Sequence, residues 1–321
     1  MASLLGAGAC EAAGAAVATY APRSFSVPTV KVQTHKAPVV KRRLRRNSLS
    51  VASQSGLRET PDPLELSSSV AYMIDQDTGE VYFEKNAYIK LPIASVTKLM
   101  TALVIAESEL PLKAKLKVTR ADYVKSTAQS KLRSGMVLTR EDALRAALMS
   151  SDNRAAHMLA RTYPGGVKVF VEKMNETARE LGMTDSFFSD PTGLSNENVS
   201  TAHDLAVLAS RVHSYPVLAK ASTGAVALLN TGASKVRLMT TNRLIGDPRW
   251  NVGLQKTGYT RAAGRCMVVQ SEFAGHRVVM VVLDSETNGK RANDMLKMRR
   301  WLEEEVRFES QFAGVAPYGL M

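Results

Sequence analysis

The sequence predicts an α+β domain in which an antiparallel sheet lies sandwiched between helical layers, and three observations lead to it. Val70-Ala71-Tyr72-Met73-Ile74-Asp75 and Val81-Tyr82-Phe83-Glu84 flank Gln76-Asp77-Thr78-Gly79, which reads as a β-hairpin. Helical patterns fill the middle of the chain. Towards the end the apolar period shifts to two, rich in β-branched residues, over 235–240, 252–259, 265–273 and 277–283, before a closing helix at about 290–308. A hairpin, a helical block, three or four antiparallel strands and a last helix stack as helix, sheet and helix.

Each helix has local support. Residues 95–107 are apolar on nearly every side, so that helix belongs inside the domain and not on its surface. Thr139 is a cap for a helix reaching Met149, and a second helix runs from Asp152 to Thr162. A third spans Pro164 to Leu181 and stops at Gly182, where a left-handed residue ends a helix without strain. Thr201 with Asp204 three positions on opens a fourth, which ends near His213.

The 321 residues suffice for one large domain with a tail or for two small ones. A hydrophobic content of 45% and a charged content of 22% place the chain among ordinary globular proteins, not disordered or fibrous ones. Its net charge of +12 is unevenly spread. From Ala12 to Arg58 there is no acidic residue, while Arg23, Lys31, Lys36, Lys41, Arg42, Arg43, Arg45, Arg46 and Arg58 are basic; outside that stretch 33 basic residues meet 30 acidic ones. The folded part is therefore close to charge-balanced. Residues 22–66 read as a basic linker in solvated disorder, the sharper alternative being electrostatic attachment to an anionic envelope polymer or membrane surface. A nucleic-acid role for Lys41 to Arg46 lacks interleaved aromatics and is not expected.

Residues 1–21, rich in Ala, Gly and Leu, read as an export signal that lacks its charged start, or else as an Ala-rich tail. The expected division is thus a truncated signal over 1–21, the linker over 22–66, the domain over 67–308 and a short tail over 309–321. Cys10 and Cys266 are placed too differently for a structural disulfide. The five histidines, His35, His157, His203, His213 and His276, share no metal-ligand spacing, so neither metal nor cofactor is expected.

Three short patterns, each occurring once, carry the chemistry: Ser95-x-x-Lys98, Ser151-Asp152-Asn153 and Lys256-Thr257-Gly258. Ser95 and Lys98 are three apart at a helix start, on one face and within reach of each other. A serine hydroxyl needs a base, and lysine serves once burial and a like charge, with Lys256 the candidate, lower its pKa. Taken singly, the first pattern could be a capping serine with a surface lysine, and the second mere helix caps. Read for function, Ser151 passes a proton to a departing amine and Asn153 bonds a substrate amide. Lys256-Thr257-Gly258 lies on a predicted strand edge, where Gly258 permits close approach of an extended substrate and Lys256 with Thr257 holds a carboxylate.

With all three in order, residues from about 69 to 308 resemble the penicillin-recognising serine D,D-peptidases, that is, low-molecular-mass penicillin-binding proteins. Leu91-Pro92-Ile93-Ala94, Asp190-Pro191-Thr192-Gly193-Leu194 and Asn198-Val199-Ser200-Thr201-Ala202 add to the resemblance. It implies a β-lactamase/transpeptidase-like fold, acylation of Ser95 with Lys98 as base, a relay through Ser151 and Lys256, and an oxyanion hole from the N–H groups of Ser95 and Tyr259. Only thirteen residues follow Phe308, too few for the second domain and anchor of the group's carboxypeptidases. With the sequence Gly253 to Tyr259, this resembles the penicillin-binding protein 7 type. The implied activity is D,D-endopeptidase cleavage of D-alanyl cross-links between peptidoglycan stems in the periplasm, with β-lactams as covalent inhibitors. The rivals are a D-alanyl-D-alanine carboxypeptidase, a β-lactamase, against which the missing Glu-x-x-Leu-Asn loop speaks, and a catalytically dead murein-binding protein.

Overall fold

A continuous apolar run gives a strand two faces to bury, and here both faces of one sheet are covered. The computed structural model describes residues 49–312 except 127, 233 and 274, with side chains described as far as residue 305. In chain order come α1 (Val51–Gln54), β1 (Val70–Asp75), β2 (Val81–Lys85), β3 (Leu91–Pro92), α2 (Lys98–Glu107), β4 (Lys115–Lys117) and β5 (Val137–Thr139). There follow α3 (Arg140–Met149), α4 (Asn153–Arg161), α5 (Gly166–Glu180), β6 (Val199–Ser200), α6 (Ala202–His213) and α7 (Pro216–Thr223). Last are β7 (Val226–Asn230), β8 (Lys235–Met239), β9 (Asn251–Thr260), β10 (Gly264–Phe273), β11 (His276–Ser285) and α8 (Asn288–Phe312).

The main sheet has the order β2-β1-β11-β10-β9 and is antiparallel throughout. Period two divides its side chains. Val70, Tyr72, Val279, Val281 and Leu283 join α2 and α6 in one core, while Ala71, Met73, Val278, Met280 and Val282 meet Met295, Met298 and Leu302 of α8 in the other. Each of the Val, Leu and Met side chains among them contributes roughly 1.5–3 kcal/mol by leaving water. This is the predicted sandwich. Helix α2 lies at its centre, buried from Lys98 to Ile105, as its all-round apolar surface requires. The caps predicted for α3 and α6 form as well, with Thr139 accepting from the Asp142 N–H and Thr201 from the Asp204 N–H.

The structure departs from expectation at four places. Residues 235–239 do not enter the main sheet; as β8 they pair with β7 in a separate hairpin. Neither β7 nor α7 is evident in the pattern, because Val226 and Leu228 are exposed and an eight-residue helix is too short to show a period. Residues 49–66, expected to belong to the linker, are packed. Val51 N–H bonds the Ala262 carbonyl, Ser53 and Arg58 both donate to Asp284, and Lys85 pairs with Asp62 at 2.9 Å with both side chains almost fully buried. Averaged composition hides such contacts, since single polar residues with specific partners make them. Finally, α8 continues to Phe312, past the predicted end at 308. The signal over 1–21, the basic arm over 22–48 and the tail over 313–321 lie outside the described residues.

Candidate active site

Three elements converge on one cleft. Ser95 lies in a 3-10 turn, Ala94–Thr97, that leads directly into α2 and so carries Lys98 at its end. Ser151 occupies the joint between α3 and α4, where Asp152 caps α4 by accepting from the Ala155 N–H at 3.0 Å. Lys256, Thr257 and Gly258 lie in the second half of β9, the edge strand of the main sheet. Backbone φ is positive at Ala94 (49°) and Ser151 (59°), so the chain is held in an uncommon conformation beside both serines.

The Lys98 amine stands 2.8 Å from Ser95 Oγ, 2.7 Å from Asn153 Oδ1 and 2.6 Å from the Thr192 carbonyl oxygen. Burial lowers its pKa to about 7, against an opposing pull from Asp190 and Asp152. Lys256 donates to Ser151 Oγ at 3.0 Å and to the Thr257 carbonyl at 2.6 Å. Its pKa falls well below the ordinary value, first through burial, then through the charges of Lys98 and Arg291. The expected like-charge effect therefore acts from Lys98 on Lys256; for Lys98 itself, burial is what counts. Access adds a second point. Both amines are fully buried and do not line the cleft, where Lys256 is represented by Ser151, to which it donates.

The cleft, about 560 Å³, is lined by Ser95, Ser151, Asn153, Thr257, Gly258 and Tyr259 among others. Thr257 Oγ1 is fixed by Thr241 Oγ1 at 2.6 Å. Gly258 packs against the nucleophile turn: a Cβ there would lie 3.0 Å from both Ile93 O and Ser95 N, so glycine lets β9 come this close to Ser95. The Tyr259 ring turns out over Arg265, with the guanidinium 4.5 Å from its centroid.

Several functional groups lie beyond the three patterns. The Thr192 carbonyl that holds Lys98 is set by Asp190, whose carboxylate accepts from the N–H groups of Thr192, Gly193 and Ser195. Asn198 locks that loop by accepting from the Ser189 and Asp190 N–H groups and donating to Thr97 Oγ1. These are the segments quoted for resemblance alone, and a backbone carbonyl as ligand leaves no mark in a sequence. Ser126 accepts from Asn153 Nδ2 at 3.1 Å, which makes the loop between β4 and β5 a wall of the cleft. Arg291 reaches the cleft from α8, largely buried; its Nη1 donates to the Cys266 carbonyl and its Nε has no partner. No group of three or more metal-ligating side chains occurs among the described residues.

The arrangement is a nucleophile with a buried neutral base, a second hydroxyl–amine pair, an amide, and a cationic end of the cleft, which together suit acyl transfer. Known proteins agree. The chain is 41% identical over 265 residues to a D-alanyl-D-alanine endopeptidase of Pseudomonas aeruginosa, a match covering 80% of this chain and 85% of the relative. It is 39% identical to the D-alanyl-D-alanine endopeptidase of Escherichia coli, over 74% of this chain and 78% of that one. Among solved structures, a penicillin-binding protein of Listeria monocytogenes in its ampicillin-bound form is 31% identical with a TM-score of 0.66, covering 75% of this chain and 99% of that one. A DD-transpeptidase of Streptomyces superposes with a TM-score of 0.68 at 27% identity, over 74% and 97% of the two chains. The family model described as D-alanyl-D-alanine carboxypeptidase matches residues 57–287, and the chain belongs to that family of serine D,D-peptidases acting on peptidoglycan.

Proposed function

We propose that this protein is a D,D-endopeptidase that hydrolyses D-alanyl cross-links between peptidoglycan stems through an acyl-enzyme on Ser95. The observation that carries the mechanism is the Lys98 amine, buried and 2.8 Å from Ser95 Oγ. With a pKa of about 7 its neutral form is well populated near neutral pH, and that form takes the serine proton as Oγ adds to the carbonyl of the penultimate D-alanine. The oxyanion lies between the N–H groups of Ser95 and Tyr259, each contributing about 3 kcal/mol in sites of this kind. As the C–N bond breaks, Ser151 gives its proton to the departing amine. Lys98 and Lys256 resist being charged together, so the proton that Lys98 took is one the Ser151–Lys256 pair can carry on. Asn153 orients the donor amide, while Thr257 and Arg291 receive the carboxylate of the leaving D-amino acid. Water then attacks the ester by the reverse proton path.

The choice of cross-link over stem terminus is supported by the two endopeptidases, at 41% and 39% identity; a carboxypeptidase of Bacillus subtilis stands at 33%, with 64% of its length covered. Acting on wall polymer, the enzyme works in the cell envelope, and β-lactams acylate Ser95 and leave slowly. Digestion of cross-linked peptidoglycan with resolution of the products tests the reading. Loss of dimeric muropeptides is expected, whereas release of free D-alanine from pentapeptides alone would make the enzyme a carboxypeptidase. Ser95→Ala should lose both hydrolysis and labelling by a fluorescent penicillin; labelling that persists would refute the nucleophile.

A further inference from the structure

We propose that a second cleft beside the catalytic one, lined by Tyr123, Arg133 and Arg154, binds a carboxylate of the acyl-donor peptide, the stem that becomes attached to Ser95. The inference rests on the acyl-transfer reading of the Ser95 site and adds a substrate preference to it. This cleft has a volume of about 480 Å³ and shares Ser126, Ala128 and Asn153 with the catalytic cleft, so a bound chain passes from one to the other across Asn153.

Charge identifies the ligand. The lining of the two clefts contains Lys125, Arg133, Arg154, Arg261 and Arg291 and not one Asp or Glu, although the folded domain as a whole is nearly balanced. Arg154 is built into place: its Nη1 donates to the Leu132 carbonyl at 2.6 Å, and its guanidinium lies 5.5 Å from the centre of the Tyr123 ring. Among the described residues neither Arg133 nor Arg154 has a carboxylate within ion-pairing distance, whereas Arg161, two turns further along α4, is clamped on Asp122 at 2.7 Å. The nearest acid in sequence, Asp152, is already engaged by Ser130 Oγ at 2.7 Å and by the Ala155 N–H. Two guanidinium groups beside an exposed aromatic face and without counter-charges of their own suit a planar carboxylate on an extended peptide.

Position identifies which stem. Thr257 and Arg291 take the leaving amino acid at one end of the catalytic cleft, and Asn153 holds the amide on the donor side. Whatever lies past Asn153 is therefore the donor peptide, and a side carboxylate on it is the group that the two guanidinium groups suit.

The test uses the full chain and two synthetic stem peptides ending in D-alanyl-D-alanine, identical except that their side carboxylates are free or amidated. The wild type is expected to favour the free form in kcat/KM by about fivefold, the size of one exposed charge pair, and to lose that preference in high salt. Arg133→Gln should bring the ratio close to one, and Arg133→Lys should restore part of it. Equal rates for the two peptides in the wild type would overturn the proposal, and so would an equal loss on both in Arg133→Gln. The ratio is set at acylation, which either outcome of Ser95 chemistry shares. An enzyme that releases D-alanine but opens no cross-link would thus defeat the endopeptidase reading and leave this subsite standing.

Discussion

Lys98 has three oxygens around its amine, and their chemistry is compatible with the neutral base that acylation needs. The Thr192 carbonyl and Asn153 Oδ1, held from behind by Ser126, can only accept, whereas Ser95 Oγ can also donate. A neutral amine has two hydrogens and one lone pair. Its hydrogens satisfy the two pure acceptors, and the lone pair is left for the Ser95 hydroxyl proton. The geometry accommodates that neutral form, and burial is what favours it over the ammonium. The sign of the pH effect follows. Protonated Lys98 cannot accept a proton, so acylation of Ser95 should fall about tenfold per unit as pH drops below about 7 and level off above it. Stopped-flow acylation by a chromogenic cephalosporin from pH 5 to 9 measures this directly. A rate constant flat across that range would mean that another group is the base.

At the scale of elements, the loop from Asp190 to Asn198 acts as a template for the turn that carries the nucleophile. Gly193 sits at φ 79°, and a Cβ there would come within 1.9 Å of the Ala94 carbonyl oxygen, so the loop and the Ala94–Thr97 turn touch backbone to backbone. Gly193→Ala should cost about 3 kcal/mol or more of stability, and acylation should fall by more than tenfold as Ser95 shifts. Thermal unfolding together with penicillin labelling would show both losses; a stable, fully labelled variant would mean that the loop yields without moving the serine. The sequence announces this loop only by likeness to a family, because the physics behind it is a contact between segments about a hundred residues apart. Caps and periods, by contrast, act within a few residues, which is why α3, α4, α5, α6 and the long strands can be read directly. Arg291, Ser126 and the hairpin of β7 with β8 cannot be read that way. Arg291 and Ser126 owe their places to partners distant in sequence; β7 pairs locally with β8 and escapes notice because Val226 and Leu228 face outward, against the rule that reveals a strand.

The whole molecule is closed by a segment that composition assigned to a linker. Residues 49–66 run beside β11 and the β9–β10 turn, where Asp284, with its side chain only 2% exposed, takes hydrogen bonds from Ser53, Arg58 and Ser69. Asp284 follows the last core residues of β11, and the turn it faces leads out of the strand that carries Lys256 and Tyr259. A chain starting at residue 60 would leave this carboxylate buried with one hydroxyl and no cation. Removing one partner of a fully buried pair costs roughly 3–5 kcal/mol; with Arg58 itself 23% exposed, about 2 kcal/mol is the better expectation. For a domain of this size that amounts to a fall in Tm of about 4–8 °C. Arg58→Ala should account for about half of it, since Ser53 and the Val51–Ala262 backbone bond remain. Differential scanning fluorimetry on chains starting at residues 49 and 60 and on Arg58→Ala makes the comparison. Identical transitions in all three would show that the segment rides on the domain without holding β9 and β11 together.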